Sequence, residues 1–262
     1  GMTAATLNEL SGGRVFLGLG TSGRAVIENF HGVKYEHPLD RVRECVSIIR
    51  QVTTGATLNH HGPTFTLKHF KLACKLSHGA VPVYLAALGP RMLRLAGEIA
   101  DGALLLLHPR SYLPEALRFI EEGLTASGRR WENFDVAYMT PFAVSEDSAT
   151  ARSEVKKHVA FYVGAMGDYY YRLLQRTKFS RDAEEIKAAW KRGDKDVMNA
   201  GVSDELADEV GAVGTVEDCH KTIGKFHAAR VNTVVLDISP MRTLGAAATA
   251  KGLESLAPTA PS

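Results

Sequence analysis

Cysteine is scarce in this chain: Cys45, Cys74 and Cys219 are the three among 262 residues. They lie far apart and are odd in number, which argues against a disulfide framework or a zinc site and fits a reducing compartment. A dominant charge is missing as well. Lys and Arg number 31 against 29 Asp and Glu, a formal net charge of +2, and the signs are interleaved. That balance gives no reason to expect a nucleic-acid partner or an acidic membrane surface. No apolar run reaches the roughly 18 residues of a membrane span, and no charged-then-apolar signal segment opens the chain. The expectation is a cytoplasmic protein with no membrane partner. The rest of the composition, 45% hydrophobic and 23% charged, is that of a globular chain with a full core. The length suits one large α/β barrel or two smaller domains.

Five short apolar runs read as buried strands: Val15 to Leu19, Val81 to Ala87, Ala103 to Leu107, Val136 to Val144, and Thr233 to Ile238. Most are continuously apolar rather than alternating, the pattern of strands covered on both faces in a parallel sheet. Helical spacing follows Pro38 (Val42, Cys45, Val46, Ile49, Val52), Pro90 (Met92, Leu93, Leu95, Ala96, Ile99) and Pro114 (Leu117, Ile120, Leu124). Each proline stands where the first helical turn has no use for its N–H. Strand then helix, repeated, predicts an α/β fold with right-handed crossovers. Residues 55–80 read as a long loop with one hairpin from Thr57 to Leu67. Residues 147–210 read as an almost wholly helical insertion, and the Ala-, Ser- and Pro-rich tail from Ala246 reads as a fraying end.

Gly18-Leu19-Gly20-Thr21-Ser22-Gly23 is a literal G-x-G-x-x-G after a strand. A dinucleotide fold needs a helix opening at the last glycine and an acid about 20 residues on, at the end of a second strand. Asp40 has the spacing but sits at a helix start, and residues 30–38 read as loop, so the Rossmann context fails. What remains is a glycine-rich loop at the C-terminal end of a buried strand. Glycine there lets the backbone approach a flat ring or a phosphate; a tight turn needing positive φ explains it equally well. The second candidate is Leu85-Ala86-Ala87-Leu88-Gly89-Pro90-Arg91, where a strand turns sharply into a helix. The helix N-terminus offers free N–H groups to an anion and Arg91 adds a cation, while simple strand-to-helix packing is the plainer account.

These segments in their order resemble the luciferase-like monooxygenase superfamily, and within it the deazaflavin-dependent oxidoreductases that include methylene-tetrahydromethanopterin reductase. Thr6 to Arg14 leads into the Val15 to Gly23 run. Glu28, His31-Gly32-Val33, and Arg41, Arg43 and Glu44 follow. Then come Val83 to Pro90, Leu95 to Gly102, Phe161 to Gly167, and Pro240-Met241. The resemblance covers about residues 3–245; each motif is weak alone and the ordered set is strong. It implies a TIM (β/α)8 barrel of the bacterial luciferase-like type with a helical insertion at about 147–210. It also implies coenzyme F420 at the C-terminal mouth of the barrel, hydride exchange with a small-molecule substrate, and a homodimer. Gly18, Gly20, Thr21, Ser22 and Gly23, with Ala86, Ala87, Leu88, Gly89, Pro90 and Arg91, are then the cofactor-binding candidates.

The family barrel begins about three strands earlier, so the resemblance implies a partial barrel lacking roughly 60 to 90 residues. Those strands carry a non-prolyl cis peptide behind the ring and an Asp/His, so weakened cofactor binding is expected. Glu28 is a candidate general acid, against a salt-bridged surface role. His31 is a competing proton donor, against a packed histidine. Arg242, after the last strand, is a candidate for a substrate phosphate. His60-His61 point apart on an extended chain and lack a third ligand, so no metal is expected. Tyr169-Tyr170-Tyr171 with Phe161 and Tyr162 read as helix core or dimer contact. Two alternatives stay open: an FMN-dependent monooxygenase of the same fold, and a non-catalytic dimerising remnant.

Overall fold

The computed structural model describes residues 1–73 and 77–257; Cys74 and the last tail residues lie outside them. The chain divides into two compact units. The first comprises Gly1–Leu104 and Leu117–Asp135, the second Leu105–Ala116 and Val136–Ser262.

In the first unit, helix α1 (Met2–Ser11) precedes strand β1 (Leu17–Leu19), helix α2 (Pro38–Thr53), the strands β2 (Leu58–His61) and β3 (Thr66–Phe70), strand β4 (Val83–Ala86) and helix α3 (Pro90–Ile99). The chain then enters strand β5 (Gly102–Leu106), and the unit also takes residues 117 onward of helix α4 (Leu113–Ala126). β1 pairs parallel with β4, Leu17 opposite Val83 and Leu19 opposite Leu85. β4 pairs parallel with the start of β5, Tyr84 opposite Gly102 and Ala86 opposite Leu104. Val83, Leu85 and Ala103 are buried, as unbroken apolar runs require in a covered sheet. β2 and β3 form the antiparallel hairpin expected in the 55–80 stretch.

α2 starts at Pro38, carries Asp40 in its first turn, and buries Val42, Val46 and Val52. Its last turn presents Arg50, which donates to Asp101 Oδ1 at 2.8 Å, while Asp101 Oδ2 accepts the Val83 N–H at 2.8 Å. Asp101 thus anchors the start of β4 to the end of α2, a structural task. α3 and α4 meet backbone to backbone. A Cβ on Gly97 would strike the Ile120 carbonyl, and one on Gly123 the Arg94 carbonyl. Arg94 lies 4.6 Å over the Phe119 ring and pairs with Glu122 at 2.5 Å across the same crossing.

The second unit is built on β6 (Asp135–Val144), which pairs parallel with β7 (Ala212–Gly214) and with β8 (Thr233–Asp237). Between β6 and β7 run α5 (Ser148–Ala165), α6 (Tyr169–Leu174), α7 (Ser180–Arg192), α8 (Lys195–Ala200) and α9 (Asp204–Val210). Several start on side-chain caps that satisfy an otherwise open N–H: Asp147 for α5, Asp194 for α8 and Ser203 for α9. Thr215 and Asp218 form a reciprocal capping box on α10 (Val216–Ala228). Val155, Val159 and Val163 of α5, Ile186 of α7 and Leu206 of α9 pack with Phe142 and Val213 in one core.

Two sequence expectations change. β7, three residues after Gly211, went unread because a run that short has no period to detect. The five expected strands are therefore too few among the described residues. The tail also differs: Ala246–Leu256 form a helix, α11, where fraying was expected. Its alanines favour helix, its buried Gly252 lies over Val144 and Phe142, and His220 contacts the Ser255 carbonyl at 3.3 Å.

Candidate functional site

Parallel pairing of β1 with β4 carries the two glycine-bearing turns to the same strand ends in the first unit. Leu19 lies opposite Leu85, so Gly20 comes beside Ala86, and a Cβ built on Gly20 would stand 3.2 Å from the Ala86 methyl. Glycine is what the spacing admits. Gly18 and Gly89 differ: a Cβ on either meets nothing within 4 Å, and neither has a positive φ. Open backbone at two strand ends is the surface a flat ring or a phosphate can approach.

The first turn is held from inside. Ser22 adopts a left-handed φ of 55°. Its carbonyl accepts the Tyr35 hydroxyl at 3.3 Å and the Thr21 hydroxyl at 3.4 Å. Ile27 N–H donates to the Gly23 carbonyl at 3.1 Å, opening a five-residue π-helical turn over Val26–Phe30. No strand lies between Gly23 and Asp40, and Asp40 sits in the first turn of α2. Glu28 lies in this turn, taking the Arg24 guanidinium at 2.7 Å and the Tyr35 N–H at 3.1 Å. Arg24 also stacks 5.4 Å over the Tyr35 ring. Glu28 is thus tied to the loop, while His31 is exposed, edge-on to Phe30 with ring centroids 4.9 Å apart.

In the second turn Ala87 N–H donates to the Leu104 carbonyl at 3.2 Å. Gly89 is the N-cap of α3 with extended backbone, φ −104° and ψ 165°, and has no side-chain cap bond; Pro90 follows as the first helical residue. Leu88 is half-buried. Arg91 is exposed and lines a cleft of about 560 Å³ with His37, Asp40, Arg43, Arg94 and Glu98. Arg43 pairs there with Glu98 at 2.5 Å. Arg242 belongs to the second unit, exposed on the turn Ser239–Leu244 after β8.

Sequence reasoning missed the wall of the first turn. A cleft of about 180 Å³ is lined by Leu19, Gly20, Thr21, Ile27, Lys34, Tyr35, Glu36 and one face of α2: Pro38, Arg41, Val42 and Cys45. Those four positions are i, i+3, i+4 and i+7, one stripe of a helix, and that spacing was the available signal. The role of His60 also emerges. Its Nε2 lies 2.9 Å from Glu44 Oε2, and Glu44 accepts the Thr64 and Phe65 N–H groups at 2.9 Å each. Burial pushes the Glu44 carboxyl upward, but His60 and the two N–H groups outweigh it and hold the carboxyl at about 2. The histidine pins the hairpin to α2.

A separate titratable cluster lies in the second unit. His158 Nε2 stands 3.3 Å from Asp237 Oδ2 at the last residue of β8, with both side chains mostly buried. Tyr162 packs on His158, and Tyr170 meets Tyr162 edge-on, with centroids 4.7 and 4.9 Å apart. Burial lowers the His158 imidazole below its ordinary value, opposed by Asp237. Tyr162, Tyr170 and Tyr171 pack against the core, while Phe161 is half exposed.

Glycine-bearing turns at the ends of paired parallel strands place the chain among α/β folds that bind ligands at their strand ends. The family model for luciferase-like monooxygenases matches residues 1–233, and the chain belongs to that family. A 5,10-methylenetetrahydromethanopterin reductase of Archaeoglobus fulgidus is 35% identical over 236 residues, covering 88% of this chain and 69% of that protein. The enzyme of the same name from Methanolobus tindarius is 34% identical over 233 residues, again covering 88% and 69%. Among solved structures, the coenzyme F420 dependent tetrahydromethanopterin reductase of Methanopyrus kandleri superimposes with a TM-score of 0.80 at 26% identity. It covers 97% of this chain and 76% of that one. The fold class is accordingly the α/β barrel of the luciferase-like F420 reductases.

Proposed function

We propose that this protein is a coenzyme F420-dependent oxidoreductase that exchanges a hydride with a small organic molecule. The observation that carries the reading is the meeting of the two turns: Gly20 against Ala86, with open backbone at Gly18 and Gly89 on either side. The candidate residues fit a flat, phosphate-bearing cofactor, because its ring needs close backbone approach and its phosphate needs N–H groups and a cation. Gly18, Gly20, Thr21, Ser22, Gly23, Ala86 and Ala87 would face the ring. Leu88, Gly89, Pro90 and Arg91, at the start of α3, would hold the phosphate end. Bound there, the deazaflavin supplies a two-electron hydride carrier.

The chain's own residues then bind, orient and supply a proton. Glu28, ion-paired with Arg24 and bonded to the Tyr35 N–H, keeps the glycine turn in shape. With the Glu28 carboxyl occupied by Arg24 and the Tyr35 N–H, His31, exposed on the same turn, is the proton donor of this reading. The similarity to the solved coenzyme F420 dependent tetrahydromethanopterin reductase supports F420 over FMN.

The test is fluorescence titration of the purified chain with oxidised F420 and, in parallel, with FMN. Saturable F420 binding at least about tenfold tighter than FMN supports the reading. Preference for FMN favours the monooxygenase alternative, and binding of neither overturns both.

A further inference from the structure

The 180 Å³ cleft beside the glycine turn has a composition of its own. Its floor and walls are apolar: Leu19, Ile27, Pro38, Val42 and the ring of buried Tyr35. Its mouth is cationic. Arg41 and Cys45 are four residues apart on α2 and share one face of the helix, and Lys34 stands opposite them. Arg41 is half-buried, and among the described residues no carboxylate lies within ion-pair distance of its guanidinium. The acids nearby are otherwise engaged. Glu44 is held by the hairpin and His60. Glu28 is held by Arg24. Asp40 lies 3.8 Å from His37. Glu36 is 4.0 Å from Lys34, both exposed.

A half-buried guanidinium over an apolar floor is costly unless an anion joins it. The cleft is also small. Pockets for drug-sized ligands run to roughly 300–1,000 Å³, against about 180 Å³ here. The cleft suits a compact molecule. We propose that this cleft is a binding site for a compact organic anion, an apolar body of a few carbons carrying one carboxylate or phosphate, with Arg41 as its anion-binding residue and Lys34 at its rim. The site rests on the same glycine turn as the proposed cofactor surface and shares Gly20 and Thr21 with it, but its test contains no cofactor. Its failure therefore leaves the F420 reading untouched, and the reverse holds too.

Cys45 reports on the site from within. Iodoacetate is itself a compact carboxylate, and iodoacetamide is its neutral analogue. Each alkylates a thiolate with loss of iodide, forming the C–S bond. Because both need the same thiolate, the ratio of their rates cancels any change in thiol acidity and isolates the effect of charge. Peptide mapping by mass spectrometry separates Cys45 from Cys74 and from Cys219, which is buried. The expected ratio of iodoacetate to iodoacetamide rates at Cys45 is at least about tenfold above that of glutathione, at low salt. Iodoacetate alkylation should saturate with concentration, and butyrate should protect. Arg41→Gln should bring the ratio down to that of glutathione, whatever it does to thiol acidity and so to both rates together, and Arg41→Lys should keep most of the ratio. If Arg41→Gln fails to fold, Lys34→Gln on the exposed rim should still lower the ratio by about two- to threefold. A wild-type ratio no higher than glutathione's, alkylation linear in iodoacetate with no protection by butyrate, or a ratio unchanged in Arg41→Gln each overturns the proposal.

Discussion

Gly20 and Ala86 face each other across the ends of two parallel strands so closely that a methyl group on the glycine would stand 3.2 Å from that of the alanine. The pair fixes how near the two turns come. Gly20→Val places three carbons where one is already tight, so the strand ends must part slightly and stability should fall. The expected outcome is a lowered urea midpoint with an unchanged slope. A midpoint equal to that of the wild type would show that the strand ends yield freely.

Gly97 and Gly123 make a sharper case. Each would drive a Cβ into a backbone carbonyl of the facing helix, and backbone cannot rotate away as a side chain can. Gly97→Ala and Gly123→Ala should each destabilise by about 3 kcal/mol or more. Their effects should be less than additive, since one separation of α3 from α4 relieves both. Thermal unfolding of the two single variants and the double variant checks this.

Glu44 predicts an acid-sensitive hairpin. Its folded value is held at about 2, against 4.5 ordinarily. Its contribution to stability is therefore complete above about pH 4.5 and is lost as pH falls from there toward 2. Glu44→Gln should be less stable than wild type at neutral pH and should lose less between about pH 5 and 3. Urea midpoints across that window are the measurement; parallel curves for the two proteins would contradict the assignment.

His158 predicts a second window, nearer neutrality and of its own kind. Burial lowers its folded value below 6.5, so below that pH the unfolded chain binds the proton more readily and stability falls as the solution is acidified. Above pH 6.5 the contribution is complete. Asp237 opposes the shift, so Asp237→Asn should lower the imidazole value further, read by NMR of its Cε1 proton. A higher value in that variant would remove the pairing seen at 3.3 Å.

Much of this was legible in the sequence because the decisive features are local. Continuous apolar runs gave five strands to within two residues at each end, Pro38, Pro90 and Pro114 marked helix starts, and the 147–210 stretch holds five helices joined by short links. β7 was invisible because Ala212–Gly214 is shorter than any period. The two glycine turns could be picked out one by one, but not that Gly20 would lie beside Ala86, which depends on parallel register. Arg24 four residues before Glu28 was a readable clue to the carboxylate's ion pair. The Arg41–Cys45 stripe was readable as helix and unreadable as a wall, since what it faces is set by the chain between Gly20 and Glu36.

The most direct test of the cofactor account uses the two glycines with room to spare. Gly18→Val and Gly89→Thr add side chains where the structure has open space and ordinary backbone angles, and threonine caps a helix about as well as glycine. Both variants should keep the wild-type melting temperature to within about 3 °C, a shift of roughly 1 kcal/mol or less. The account predicts that each weakens F420 binding at least about tenfold in a fluorescence titration, because the added carbons occupy the cofactor's approach. Wild-type F420 affinity in both variants would contradict it and place the cofactor elsewhere.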